Sequence, residues 1–303
     1  MTSDNVTLAL LVLHKGEIVS EVYSPEVTAE TTLISWSMAK SITHALVGIA
    51  QMDGLLNVSD SHLFPEWEAD DRRNITLQQL LEMRSGLSWV EDYVDGDASN
   101  VIDMLFGSGK DDIAGYAIAQ PLVATPGAEW VYSSGTTNIV TRLLGNVLGD
   151  SARSLTNIER FMRTRLFDAL GMQAEPKFDA AGTFVGSSYV FATARNFAKF
   201  GLLYLHDGVC NGKRILPEGW VDRARVQHVF DGETGLGYGA HWWTLPGERN
   251  SLVAAGYEGQ YIMVIPDRDL VVVRLGKTVA ALRNAVVAEL REVIEQFPVT
   301  GAQ

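Results

Sequence analysis

Apolar and polar positions alternate differently in the two ends of this chain and in its middle. Val6 to Leu13 is nearly all apolar, breaks at His14-Lys15-Gly16 and resumes from Ile18 to Tyr23, which predicts a β-hairpin around a glycine turn. From Ser37 onward, Met38, Ile42, Ala45, Leu46, Ile49 and Met52 recur at steps of three and four, the stripe of a helix with a buried face. Ser35 stands where an N-cap is expected, and Asp53-Gly54 supplies the glycine that follows a helix end. Between about Asp53 and Gly186 the pattern is mostly helical, in segments Leu77 to Met83, Ile102 to Phe106, Ile113 to Ala119, Thr136 to Leu148 and Ile158 to Leu170. Strand-like runs then return: Tyr238 to Leu245, Leu252 to Ile265, a turn at Pro266-Asp267-Arg268-Asp269, and Leu270 to Leu275. A last amphipathic helix runs from about Ala280 to Phe297. The order predicts an α+β fold in which both chain ends build one antiparallel sheet covered by helices. Residues 1–52 and 187–303 would form the sheet domain and 53–186 a mostly helical one, with a site in the cleft between them.

Composition narrows the function classes. A chain of 303 residues can bury a substantial core, and its net charge of −13 argues against nucleic acid or an anionic membrane surface as partner. Cys210 is the only cysteine, so no internal disulfide forms. No unbroken apolar run approaches spanning length, and Met1 to Asn5 lacks a charged region followed by an apolar one. The chain therefore reads as cytoplasmic, or as a mature chain whose leader is absent. Its histidines show no HExxH or paired-cysteine spacing, so neither a metal site nor a cofactor is expected. Gly107-Ser108-Gly109-Lys110 lacks the hydroxyl residue and first glycine of a phosphate loop.

The candidate chemistry begins at Ser37-Met38-Ala39-Lys40. Positions i and i+3 share a helix face, so a neutral Lys40 could take the proton of Ser37 and make the alcohol a nucleophile. No other lysine here has a serine three positions before it. Because the rest of this helix is core, apolar surroundings would lower the amine's affinity for a proton. Tyr132-Ser133-Ser134 is the second signal, the one place where a tyrosine precedes Ser or Asn by two. Its phenol could relay a proton to a leaving group, while Ser134 could hold the lysine or the substrate.

SWSMAKS, LLEMRSGLSWVEDY, WVYSSGTTN and GYEGQYIMVIPDRDLVVV together resemble the serine β-lactamase and penicillin-binding-protein superfamily over almost the whole chain. Within it they are most similar to the class C-like branch of family VIII carboxylesterases and 6-aminohexanoate-dimer hydrolases. The resemblance implies a β-lactamase/transpeptidase-like fold, Ser37 as acylated nucleophile, Lys40 as its base and Tyr132 as third catalytic residue. It also implies an oxyanion hole from the backbone amides of Ser37 and Tyr257, substrate contacts from Gly256 and Tyr93, and Ser134 where many relatives have Asn. The resemblance further implies a helix before the first strand, for which this sequence has no room. The third motif departs from the family: its Lys-Thr-Gly place falls on Ala254-Ala255-Gly256, without the cation and hydroxyl that hold a β-lactam carboxylate. Lys277-Thr278-Val279 imitates it but reads as an ordinary strand-to-helix connection. Of Trp242 and Trp243, successive on a strand, at most one should line the pocket, with Trp243 as the candidate, and the other should pack in the core. His44, one turn beyond Lys40, reads as a hydrogen-bonded structural histidine. No GxSxG elbow supports a Ser-His-Asp hydrolase. The expectation is a serine hydrolase acting on a small ester or amide. A β-lactamase, a D-amino-acid peptidase or a non-catalytic penicillin-binding receptor are the alternatives, and the sequence leaves the oligomeric state open.

Overall fold

The computed structural model describes residues 5–93, 99–149 and 156–300, so the segment Met1 to Asn5, read as lacking the pattern of a leader, lies outside the described residues except for Asn5. Eight strands form one antiparallel sheet: β1 Asn5–His14, β2 Glu17–Tyr23, β3 Val229–Asp231, β4 Leu236–Tyr238, β5 Trp243–Thr244, β6 Leu252–Gly256, β7 Gln260–Ile265 and β8 Leu270–Thr278. Their spatial order is β2-β1-β8-β7-β6-β5-β4-β3, so the two chain ends pair in the sheet, Asn5 opposite Thr278 and His14 opposite Leu270.

Both sheet faces are covered, which explains why the central strands read as continuous apolar runs. Val271, Val273 and Leu275 of β8, with Ile262 and Val264 of β7, join one core with the helices α1 (Met38–Met52), α2 (Ser134–Val147) and α3 (Ala194–Leu205). Leu270 and Val272, with Tyr261, Met263 and Ile265, join a second core under α4 (Arg283–Glu295). The period of two divides alternate residues of one strand between the two cores.

Three expectations about element limits change. The run Leu252 to Ile265 is two strands, because the turn Tyr257–Gly259, with Glu258 at φ 59°, folds the chain back after Gly256. Tyr238 to Leu245 is likewise broken, at His241 with φ 53°. The last helix begins only at Arg283, after a short 3₁₀ turn. Ile158 to Leu170 is helical as expected, with its middle, Met162–Phe167, wound as a π-helix.

Helix α3 approaches the sheet through Gly201, where an added Cβ would lie 2.6 Å from Val271 Cγ1 and 3.0 Å from Ile262 Cγ2. Gly201→Val should therefore destabilise the protein by about 2–3 kcal/mol through overpacking, read as a lower urea midpoint at unchanged slope.

Candidate active site

Helix α1 starts where the chain emerges from a short three-stranded sheet, Leu33–Ile34 pairing with Val190–Ala192. Ser35 does not cap it as expected. Its hydroxyl instead donates to Ser188 O at 3.2 Å and accepts from Val190 N at 3.1 Å, tying the helix start to the neighbouring segment. Trp36 then takes a left-handed conformation, φ 43°, unusual for a bulky residue, and the helix begins at the next turn. Backbone strain of this kind concentrates at functional sites.

Lys40 is 2% exposed, yet its amine is fully engaged. Nζ lies 3.0 Å from Ser37 Oγ, 3.0 Å from Ser134 Oγ and 3.1 Å from Ser187 O. A neutral amine can donate to Ser134 and Ser187 while its lone pair accepts the Ser37 proton. Burial lowers the Lys40 pKa to about 8, opposed by the negative charge of Glu91. Tyr132 precedes the start of α2, whose cap is Ser133 with its hydroxyl 2.9 Å from Thr136 N, and its ring centroid is 4.9 Å from Lys40 Nζ. Burial pushes the Tyr132 hydroxyl above its ordinary range, Glu91 adds to this, and Ser37 pulls the other way.

Glu91, a residue outside the set picked from the sequence, organises this group from behind. Its carboxylate accepts from Trp89 Nε1 at 2.6 Å, Ser134 N at 2.8 Å and Tyr93 OH at 3.0 Å, and also from the Ser134 hydroxyl. Ser134 thus accepts from Lys40 and donates to Glu91, linking the amine to the carboxylate. The only hint of this in the sequence was an acid between two aromatic residues in WVEDY.

A cavity of about 320 Å³ opens in front of Ser37. Tyr93, Tyr132, Trp243, Gly256 and Tyr257 line it, together with Trp130, Leu236, Tyr261 and Val287, while Asp231, Glu233 and Arg283 also face it. Ser134 and Lys40 lie behind this surface. Tyr93 stacks on Tyr257 with ring centroids 4.9 Å apart, and Tyr132 packs on Trp243 at 5.4 Å. Trp242 points the other way into the core against Tyr204, centroids 4.4 Å apart. His44 is away from the pocket, its Nδ1 2.8 Å from Tyr204 OH and its ring on Trp220. His241 lies closer: burial lowers it to about 3, keeping it neutral between Leu81 O and Thr137 Oγ1.

The end of β6 abuts the start of α1. An added Cβ at Gly256 would meet Ser35 O at 2.5 Å and Ser37 N at 3.2 Å, so only glycine lets the two segments approach this closely. Trp36 Nε1 donates to Glu258 Oε2 at 3.2 Å and its ring meets Tyr257 edge-on, holding the following turn beside Ser37. Lys277 is exposed at the end of β8, and Thr278 Oγ1 donates to Asn5 Oδ1 at 2.8 Å, which places Lys277-Thr278 outside this site.

The family model described as beta-lactamase matches residues 3–292. A 6-aminohexanoate-dimer hydrolase of Paenarthrobacter ureafaciens is 26% identical over 290 residues, covering 90% of this chain and 73% of that protein. Among solved structures, a Bacillus anthracis protein provisionally named as a 6-aminohexanoate-dimer hydrolase superposes with a TM-score of 0.79 at 22% identity, covering 97% of this chain and 81% of that one. A penicillin-binding protein of Bacillus halodurans gives 0.73 at 16% identity, covering 95% and 97%.

Because Glu91 favours the charged amine, its removal makes deprotonation easier. Lysine titration followed by NMR should show Lys40 losing its proton near pH 8, and Glu91→Gln should move that midpoint to lower pH. A midpoint in the ordinary lysine range, about 10.4, would contradict the buried-amine picture.

Proposed function

Since this chain belongs to the beta-lactamase family, we propose that it is a serine hydrolase cleaving small carboxylic esters or amides through an acyl-enzyme on Ser37. The observation that carries this reading is the buried Lys40 amine, 3.0 Å from Ser37 Oγ and lowered to about 8, a base usable near neutrality. Neutral Lys40 takes the hydroxyl proton as Ser37 Oγ attacks the substrate carbonyl. The developing oxyanion is held by the backbone amides of Ser37 and Tyr257, fixed donors that need no rearrangement during the reaction. Tyr132, kept protonated by burial, gives its proton to the departing alcohol or amine and regains one from Lys40. Water then attacks the acyl-enzyme with the Tyr132/Lys40 pair as base, returning Ser37 and releasing the acid.

The pocket supports a substrate with an apolar body, since Trp130, Trp243, Leu236 and Val287 form its walls. Tyr93 and Gly256 contact the acyl or leaving group in this reading, and the likeness to a 6-aminohexanoate-dimer hydrolase brings amides into the substrate class. Arg283 is a cation on the pocket wall, 3.9 Å from Glu233, and favours a second reading in which a substrate carboxylate, as in β-lactams, displaces that loose pair. In either case the reading takes 1–52 and 187–303 as a sheet domain and 53–186 as a helical one, with the reaction in the cleft between them.

With p-nitrophenyl butyrate, Ser37→Ala should lower turnover by about a million-fold and Lys40→Ala should abolish the acyl adduct seen in intact mass. Tyr132→Phe should cost about 10²–10⁴-fold. Full activity in Ser37→Ala would sink the mechanism. The two substrate readings separate on a chromogenic cephalosporin, which should be hydrolysed poorly if the ester or amide reading holds. Because only the neutral amine is a base, kcat/KM should rise with pH to a plateau above about 8.

A further inference from the structure

Strand β8 carries one charge through its apolar run, Arg274, which is 1% exposed. A buried guanidinium is costly unless every donor finds an acceptor. Here the acceptors are all neutral oxygens. Three belong to the first strand: Thr7 Oγ1 at 3.2 Å, Asn5 Oδ1 at 3.0 Å and Val6 O at 3.3 Å. Thr278 Oγ1 is a fourth, at 2.8 Å. The remaining two are main-chain carbonyls of the turn beside Ser37: Nη1 donates to Glu258 O at 3.2 Å and Gly259 O at 2.7 Å. Room for the group comes from missing side chains, since an added Cβ at Gly259 or Gly276 would sit 2.3 Å or 2.5 Å from Nη1.

Gln260, 2% exposed, completes the arrangement. Its amide exchanges two bonds with the Gly276 backbone, Nε2 to O at 2.6 Å and Oε1 from N at 3.0 Å, and Nε2 also donates to Tyr257 O at 3.1 Å. Three consecutive carbonyls, of Tyr257, Glu258 and Gly259, are therefore held toward the sheet interior by two side chains. The Tyr257 N–H belongs to the peptide just before these three, Gly256–Tyr257, so its direction follows from the turn that the three held carbonyls fix. The positive charge behind the turn holds it in this conformation, because the carbonyl ends of the Glu258 and Gly259 peptide dipoles point at it.

We propose that Arg274 and Gln260 are positioning residues: they clamp the Tyr257–Gly259 turn so that the Tyr257 amide stays presented to the oxyanion beside Ser37. The proposal rests on the acyl-enzyme reading given above. Neither side chain lines the cavity, so both act through the turn and not by touching substrate.

The test compares wild type with Gln260→Glu, which keeps the shape but loses the donor to Tyr257 O, and with Arg274→Lys, which keeps the charge but not the fork. Three readouts are taken on folded protein confirmed by circular dichroism: kcat and KM for p-nitrophenyl butyrate, the affinity of phenylboronic acid, and the Ser37 adduct with a fluorophosphonate. A boronate forms a tetrahedral adduct whose oxygen needs the same amide, whereas KM-level ground-state binding does not. The clamp predicts that kcat falls about 30- to 100-fold with KM within about threefold, and that boronate affinity falls at least about tenfold. If one variant does not fold, the other decides. Folded variants that keep kcat and boronate affinity within about threefold of a wild type labelled at Ser37 overturn the clamp alone. A wild type that hydrolyses the ester without a Ser37 adduct overturns the acyl-enzyme reading and the clamp with it.

Discussion

Lys40 places an amine where charge is expensive, and its neighbours are arranged around that fact. Left in an apolar core it would only be a penalty. Serine hydroxyls and a backbone carbonyl at hydrogen-bond distance reduce the penalty without pairing the amine directly with a carboxylate. The nearest acid, Glu91, is kept one hydroxyl away, through Ser134. That separation is chemically consequential. A carboxylate in contact would hold the lysine charged, whereas none at all would let burial drive its proton affinity too low to accept one from serine.

The same logic explains why the site needs three distant pieces of chain. The first turn of α1 supplies serine and lysine, the start of α2 supplies tyrosine and Ser134, and the end of β6 supplies Gly256 and the turn behind it. Each piece is the end of a regular element whose far side is packed in a core, so Ser37, Lys40 and Tyr132 sit on rigid supports while the backbone at the junctions is free to be irregular. Trp36 and Glu258, both left-handed, mark two of those junctions and are joined by a hydrogen bond between their side chains.

Much of this was legible in the sequence because it is periodic or local. The stripe from Met38 to Met52, the hairpin at Lys15-Gly16 and the apolar runs of β7 and β8 follow from side-chain spacing alone. The Ser37/Lys40 pair is local too, being set by one helical turn. What escaped depends on long-range geometry. The break between β6 and β7 was hidden because the turn that makes it, Tyr257 to Gly259, is shorter than the apolar run around it. Ser35 was misread as a cap because its true partners, Ser188 and Val190, lie some 150 residues away. Glu91 was missed for a similar reason, as its partner Ser134 is 43 positions distant. Arg274 did leave a trace: a lone charge inside Leu270 to Leu275 asks what satisfies it, and the answer is the turn next to Ser37.

The pairing of Asn5 with Thr278 has a temporal meaning as well as a spatial one. Ser37 is synthesised well before β6, its neighbouring turn and the strand that seats Arg274. A chain that stops before β6 therefore carries Ser37 and Lys40 without the Tyr257 amide and without the sheet face that covers α1. Pairing strands of such high sequence separation carries a large loop-closure cost that must be met before their contacts form. In the proposed acyl-enzyme reading, Ser37 thus meets both oxyanion donors only once β8 has been made, and a chain halted before that strand exposes no working nucleophile.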